Sequence, residues 1–352
     1  KQTVAIVSPP AKAPRFVYTA MHGVGWETAK RVFADAGFGE PVVVPEQIEP
    51  DAAFPTVSFP NPEEPGALDL SFRTASEAGV DLILANDPDA DRLAVAVPDR
   101  AGGWRKLTGN EVGWLLGWRA AKRLRRDGIP VAALGGDVAT AVSGTLAASS
   151  RSSPALAHVA KHYHLDYADT LTGFKWVSRV LDLAYGYEEA LGYLVDPQKV
   201  RDKDGISAAL EFLALFAELS EEGRTFEDLE HEFAETFGAF ASLQMSVRVE
   251  DVADIPQIMN RIRSSPPTHI GEVAVERLDD FADGFGEFPP SDILRMYLAD
   301  GSRVIVRPSG TEPKVKVYLD SSSDEGTAVQ RIAAARHAVD ALEESVKELL
   351  TL

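Results

Sequence analysis

The sequence predicts an α/β chain: two α/β domains with mixed parallel sheets, followed by a smaller α+β C-terminal domain. Three observations predict it. From residue 15 to about 218, short β-rich or fully apolar runs alternate with helical patterns, the β-α-β rhythm of a parallel sheet. Beyond that point, alternating runs cluster ahead of one long closing helix, so strands and helices segregate. At 352 residues the chain also exceeds what one compact core usually absorbs. Boundaries fall near 106 and 238, giving domains 1–106, 107–238 and 239–352.

The elements follow in order. Phe16-Val17-Tyr18 is a short strand, Gly23 and Gly25 make a turn, and Trp26 to Ala36 is a helix closed by Gly37. A strand at Pro41 to Val44 follows. Residues 45–66 hold six prolines and little periodicity, and are loop. A helix from Leu68 to Ala78 stops at Gly79, and Val80 to Ala85 is a fully buried strand. The rhythm resumes with a helix at Asn110 to Arg126, a strand at Val131 to Leu134, a helix near Pro154 to His162, a strand near Tyr167 and a helix near Ile206 to Glu218. In the tail, Leu243 to Val249, Arg303 to Val306 and Lys314 to Leu319 alternate as half-buried strands, the last with Val315, Val317 and Leu319 on one face. A helix from about Glu325 to Leu350 covers them.

Composition narrows the chemistry. The net charge is −19, which disfavours nucleic acid and anionic membranes as partners, so an anionic ligand needs a local basic site or a metal. There are no cysteines, which excludes disulfides, thiolate metal sites and cysteine nucleophiles. The sequence shows no secretory signal and no apolar run of ~18 residues, so a cytoplasmic location is the default expectation. The chain opens on Lys1 rather than Met, as a processed product or a fragment of a longer protein does.

Asn86-Asp87-Pro88-Asp89-Ala90-Asp91-Arg92 is the strongest chemical signal. Three carboxylates at alternate positions follow an apolar strand, where sites form in open α/β sheets. Packed so closely they repel, and a hard divalent cation with oxygen ligands at ~2.1 Å, such as Mg²⁺, relieves the repulsion. Arg92 adds a cation for a phosphate or for one of the aspartates. A solvated acidic turn is the plainer alternative. An EF-hand wants Gly where Arg92 stands.

Arg307-Pro308-Ser309-Gly310-Thr311-Glu312-Pro313 offers a guanidinium fork, two hydroxyls and a glycine, which together can wrap a phosphate. The same letters read equally well as a plain turn. In Tyr187-Glu188-Glu189-Ala190-Leu191-Gly192-Tyr193, adjacent carboxylates with flanking aromatics suit a hydroxyl-rich ligand, or else start a surface helix. Lys175, in Thr172-Gly173-Phe174-Lys175-Trp176, is either a phosphate contact or a solvated lysine.

Taken in chain order, the aspartate loop, Thr172 to Trp176, the glutamate loop with Asp202-Lys203-Asp204-Gly205 after it, and Arg307 to Pro313 resemble the α-D-phosphohexomutase superfamily, the phosphoglucomutases and phosphomannomutases. The glutamate loop is most similar to the phosphoglucomutase-2-like branch, which includes phosphopentomutases. The resemblance covers nearly all of the chain and implies the second, third and fourth of the family's four domains. It implies that Asp87, Asp89 and Asp91 bind Mg²⁺ with Arg92 beside the reacting phosphate. Glu188, with Glu189 as second candidate, would bind sugar hydroxyls, although Ala190 stands where many relatives have Ser. Arg307, Ser309, Gly310 and Thr311 would hold the phosphate that is not reacting, with Lys175 as a further contact. His22-Gly23 matches a structural turn of the family.

The implied activity moves a phosphoryl group between C1 and C6 (or C5) hydroxyls through a bisphosphate, with sugar mono- and bisphosphates as ligands. The family's first domain supplies a phosphoserine in a Thr-Ala-Ser-His-Asn-Pro loop, which these residues do not contain. Thr74-Ala75-Ser76 imitates only its first half, within a helix. The N-terminal domain is thereby implied as a partner. A sugar-phosphate-binding remnant and a Mg²⁺-dependent sugar phosphatase are the competing readings. Elsewhere, Thr28 stands where a dinucleotide fingerprint needs its third glycine, and His158, His162 and His164 lack any HExxH context.

Overall fold

The structure is a computed structural model and describes residues 3–100, 102–127, 143–249, 251, 253–286, 288–309 and 313–350. The strand expected at Val131 to Leu134 lies outside them. The chain forms two compact units, one of residues up to 152 with 156–229, the other of 153–155 with 230–352. Among the described residues no helix is long and apolar enough to cross a membrane.

The first unit begins with β1 (Val17–Thr19), α1 (Trp26–Asp35), β2 (Val42–Val43), α2 (Asp69–Ala78), β3 (Ile83–Asn86), β4 (Leu93–Pro98) and β5 (Trp104–Lys106). The sheet order is β2-β1-β3-β4-β5. The first three strands are parallel, and β4 and β5 return antiparallel. β1 and β3 are wholly buried because helices cover them. α1 turns Ala29 and Phe33 inward, and the Phe33 ring meets Phe16 edge-on at 5.2 Å. α2 ends because Gly79 takes φ 59°, letting Val80 N–H reach back to the Ala75 carbonyl at 3.2 Å.

The second sheet follows α3 (Gly109–Asp127): β6 (Thr145–Ser149), α4 (Ala155–Tyr163), β7 (Asp166–Thr170), α5 (Phe174–Val177), β8 (Leu183–Glu188) and β9 (Gly192–Leu194). Its order is β7-β6-β8-β9, with β6 parallel to β7 and β8, and β9 antiparallel to β8. Glycines repeat every fourth residue in α3, which costs helix propensity but brings the helix onto the sheet. A Cβ on Gly113 would lie 2.3 Å from the Tyr187 ring, and one on Gly117 would lie 2.3 Å from Leu156. α6 (Gly205–Glu221) is buried on most of its faces because it packs on α1, β3 and β4 from the first sheet and on α3 and β9 from the second. Glu211 in its middle is neutralised by Arg119 at 2.6 Å and by Arg123.

After α7 (Phe226–Phe237), the second unit comprises β10 (Ala239–Arg248), α8 (Asp254–Ser264), β11 (His269–Ile270), β12 (Val273–Asp280), β13 (Leu294–Leu298), β14 (Arg303–Pro308), β15 (Lys314–Ser323) and α9 (Ala328–Leu350). The sheet is antiparallel in the order β10-β15-β14-β13-β12-β11. Val315, Val317 and Leu319 share one face and pack with Val304, Val306, Ile258, Ile262, Val339 and Val346. Two buried ion pairs stand directly opposite each other across strands, Arg303 with Asp320 and Arg295 with Asp279.

Candidate active site

The aspartate loop leaves the carboxyl end of β3 and returns as β4, and the side chain of Asn86 ties its two ends together. Asn86 Nδ2 donates to the Arg92 carbonyl at 2.7 Å, and its Oδ1 accepts from the buried Tyr18 hydroxyl at 2.8 Å. Burial, with the charge of Asp87 behind it, raises the Tyr18 phenol far above its ordinary value and keeps it a donor. Ala90, at φ 59°, folds its N–H onto the Asp87 carbonyl at 2.9 Å, and this reversal gathers the carboxylates. Oxygens of Asp87, Asp89 and Asp91 lie within 4.8 Å of one another, with Asp87 buried, Asp91 half-buried and Asp89 exposed. Three such oxygens on a short loop fit a hard, oxygen-seeking divalent cation. Arg92 closes the loop: its N–H donates to Asp87 Oδ1 at 2.9 Å and its Nε to Oδ2 at 2.5 Å. Burial raises the Asp87 carboxyl above its usual range, and Arg92 offsets this only in part.

Two backbones back this loop. Val24 N–H donates to the Pro88 carbonyl at 2.8 Å, and Gly205 N–H to the Ala90 carbonyl at 3.1 Å. Both approaches need glycine. A Cβ on Gly23 would lie 2.2 Å from the Pro88 backbone, and one on Gly205 would lie 2.3 Å from the Arg92 oxygen. The proline-rich loop also folds in. Arg92 Nη1 reaches Asn61 Oδ1 at 3.3 Å, and Lys106 Nζ holds the Pro62 and Glu63 carbonyls at 3.0 and 2.7 Å.

The glutamate loop is the β8–β9 turn, not the start of a helix. Glu188 ends β8, Leu191 takes φ 63°, and Gly192 opens β9. This loop adjoins the aspartate loop: Arg92 bridges Gly192, and Leu93 N–H donates to the Leu191 carbonyl at 3.1 Å. The two glutamates differ. Glu188 Oε1 accepts the Gly173 N–H, and its other oxygen has no protein partner among the described residues. Burial raises its carboxyl above the ordinary range, with the Gly173 N–H opposing. Glu189 is fully engaged: Oε2 accepts from Ser149 at 2.8 Å and Ser152 at 3.3 Å, and Oε1 faces Arg151 at 3.2 Å.

Lys203, to which the sequence motifs gave no role, joins the three motifs. Its ammonium pairs with Asp91 Oδ2, and it lies 6.0 Å from the Phe174 ring centre. Its stem passes so close to Gly192 that a Cβ there would be 3.2 Å away. Lys175 is exposed on α5, its Nζ 5.7 Å from the Trp176 ring centre. The structure brings Asp87, Asp89, Asp91, Arg92, Glu188 and Glu189 into one neighbourhood of the first unit.

The arginine-serine loop belongs to the second unit as the β14–β15 hairpin tip. Ser309 N–H extends the ladder to the Lys314 carbonyl at 2.9 Å, while Gly310 and Thr311 lie outside the described residues. Arg307 stands opposite Lys316, and Arg248 opposite Lys314. By strand alternation these four cations share the face away from Val315 and Val317. In a chain of net charge −19 they form a local basic patch. The lysines could have been found from the sequence, since they alternate with the buried valines.

Three family descriptions match in series: phosphoglucomutase/phosphomannomutase alpha/beta/alpha domain II over residues 2–102, alpha/beta/alpha domain III over 109–237, and the C-terminal domain over 245–338. A Haemophilus influenzae protein named "Probable phosphomannomutase" is 48% identical over 333 residues, covering 95% of this chain and 65% of its own length. The phosphoribomutase of Saccharomyces cerevisiae is 34% identical, with 89% and 55% covered, and the human phosphopentomutase 32%, with 89% and 54%. The chain thus spans less than two thirds of these relatives. Among solved structures, the Paramecium phosphoglucomutase parafusin in its open form superposes with TM-score 0.68 at 19% identity, covering 98% of this chain and 60% of that one. A Burkholderia thailandensis phosphoglucomutase/phosphomannomutase family protein gives 0.66 at 18%, covering 99% and 63%. At such identities these two matches speak for the fold.

Proposed function

Because the chain belongs to the α-D-phosphohexomutase superfamily, we propose that it carries the metal-, sugar- and phosphate-binding parts of a phosphosugar mutase. The reaction moves a phosphoryl group between the C1 hydroxyl and the C6 or C5 hydroxyl of a sugar phosphate through a bisphosphate. We take a hexose phosphate, of glucose or mannose, as the substrate, on the strength of the 48% identical relative. The observation that carries the proposal is the adjacency of the three-aspartate loop and the Glu188 turn, joined at Arg92 and Gly192.

A magnesium ion held by Asp87, Asp89 and Asp91 would supply charge stabilisation to the transferring phosphoryl group. Arg92 is fixed by Asp87 and Asn61 and donates its remaining guanidinium hydrogens to that group. Glu188 uses its second oxygen to accept from a sugar hydroxyl. Glu189 holds the turn through the serines and Arg151 rather than meeting the sugar. In the second unit, Arg307, Ser309, Gly310 and Thr311 hold the phosphate that is not reacting, and Lys175 adds a further cation in the first. Ser76 is no phosphoryl carrier: it lies in α2, its hydroxyl bonded to the Phe72 carbonyl at 2.9 Å. The phosphoserine is assigned to the family's N-terminal domain, acting as partner.

Calorimetry with Mg²⁺ and then glucose 1,6-bisphosphate tests this. Both should bind, and Asp89→Asn should weaken Mg²⁺ by about tenfold or more, since it removes one charged oxygen ligand. Addition of the N-terminal domain in trans should bring conversion of glucose 1-phosphate to glucose 6-phosphate. Binding without turnover in that mixture would favour a binding remnant, and no binding of either ligand would defeat the proposal.

A further inference from the structure

Lys203, in the Asp202-Lys203-Asp204-Gly205 segment, lies against the aspartate loop, the glutamate turn and Phe174 at once. Its stem lies against Gly192 of the glutamate turn, where a Cβ would crowd both Lys203 Cδ at 3.2 Å and the Phe174 ring at 2.7 Å. Its ammonium reaches across to Asp91 Oδ2 and remains 28% exposed, so the side chain can swing without disrupting a core. Asp204, the next residue, caps α6 with its carboxylate and fixes the backbone from which Lys203 swings. The geometry is that of a tethered cation seated on a carboxylate a divalent ion would need.

We infer that Lys203 couples metal binding to sugar binding by competing for Asp91. Its ammonium neutralises Asp91 until a divalent cation takes that oxygen. The displaced ammonium then pivots on its stem toward the Gly192 and Glu188 side of the site, where it adds positive charge for an anionic sugar. Metal and sugar phosphate therefore strengthen each other's binding, and by linkage the factor is the same in both directions. The inference rests on the aspartate trio being a metal site and adds what regulates it.

The test is titration of the full chain with Mn²⁺ alone, followed by spin resonance or calorimetry, then repeated with saturating glucose 1,6-bisphosphate. Lys203→Met removes a unit charge a few ångströms from the ion and should tighten Mn²⁺ about tenfold without sugar. Lys203→Arg keeps the cation and should bind Mn²⁺ as the wild type does, which separates charge from folding damage. The tightening of Mn²⁺ by the bisphosphate should shrink several-fold in Lys203→Met. Equal Mn²⁺ affinity in wild type and Lys203→Met, or an undiminished effect of the bisphosphate, would overturn the inference while leaving the metal site standing. A wild-type chain that takes up no Mn²⁺ would sink both.

Discussion

Glu188 and Glu189 are neighbours in the sequence and opposites in chemistry. Glu188 is buried with a single N–H donor on one oxygen, so its carboxyl loses a proton less readily than an ordinary glutamate at 4.5. An acid whose folded value lies above its unfolded one binds more protons when folded, so stability falls as pH rises through that window. Glu188 thus costs nothing below 4.5 and its full penalty once ionised. Glu188→Gln keeps the acceptor for Gly173 and should raise the melting temperature by a few degrees at pH 7, a gain that fades toward pH 4. Sugar-phosphate affinity should move the other way: the wild type weakens on acidification at a pH above 4.5, while the Gln variant is weak and flat. Calorimetry across pH measures both trends, and a parallel pH response of the two proteins would remove Glu188 from the sugar site. Glu189→Ala should act as a core lesion, since it removes a buried carboxylate that Ser149, Ser152 and Arg151 all bind, a loss of about 3–5 kcal/mol. Urea denaturation would measure that loss. The sequence shows both residues as one acidic pair. What separates them is the Ser149–Ser152 turn some 40 residues upstream, which no local pattern reveals.

Elements with strong periodicity or hard stops were legible: α1, α2, α3, α6 and α9 all lie within a few residues of their expected positions, and the buried run before the aspartates is β3. β4 was not read. Two of the five residues in its Leu-Ala-Val-Ala-Val run are alanine, which has little strand propensity, and no polar residues alternate because both faces are buried. β8 and β9 were hidden by their glycines and by the acidic turn between them. The candidate site was legible as compact motifs of carboxylates, arginine and glycine; the braces behind it were not. Gly23, in the turn before α1, and Gly205, the first residue of α6, are 182 residues apart and press on opposite ends of the aspartate loop. Their clashes involve backbone, which cannot rotate away. Gly205→Ala should therefore cost about 1–3 kcal/mol or more, as overpacking does, and should displace the Arg92 carbonyl. Mn²⁺ affinity should fall with it, and Gly23→Ala should do the same through Pro88. If the Gly205 variant bound Mn²⁺ as the wild type does, the brace would be structural only.

At the scale of the whole chain, the two units carry different burdens. The first holds the aspartate and glutamate loops, locked by α6 against both of its sheets. The second has its own apolar core of β14, β15, α8 and α9 side chains, with cross-strand ion pairs buried in the same unit. Arg303 donates to Asp320 Oδ2 through Nε at 3.0 Å and Nη2 at 2.6 Å, and the Ser242 hydroxyl donates to Asp320 Oδ1 at 2.6 Å. Breaking such a pair from one side leaves a buried charge with too few donors, which costs about 3–5 kcal/mol. A unit with its own core can melt on its own. Scanning calorimetry should therefore resolve two transitions, and Arg303→Ala should lower one of them by several degrees while leaving the other in place. Mn²⁺ should raise only the transition that Arg303→Ala spares, because ligand binding stabilises the unit that holds the site, by about 2.7 kcal/mol at a hundredfold excess over Kd. One transition shifted by both perturbations would mean that the units melt together, and Arg303 would then bear on the metal site through a shared stability rather than not at all.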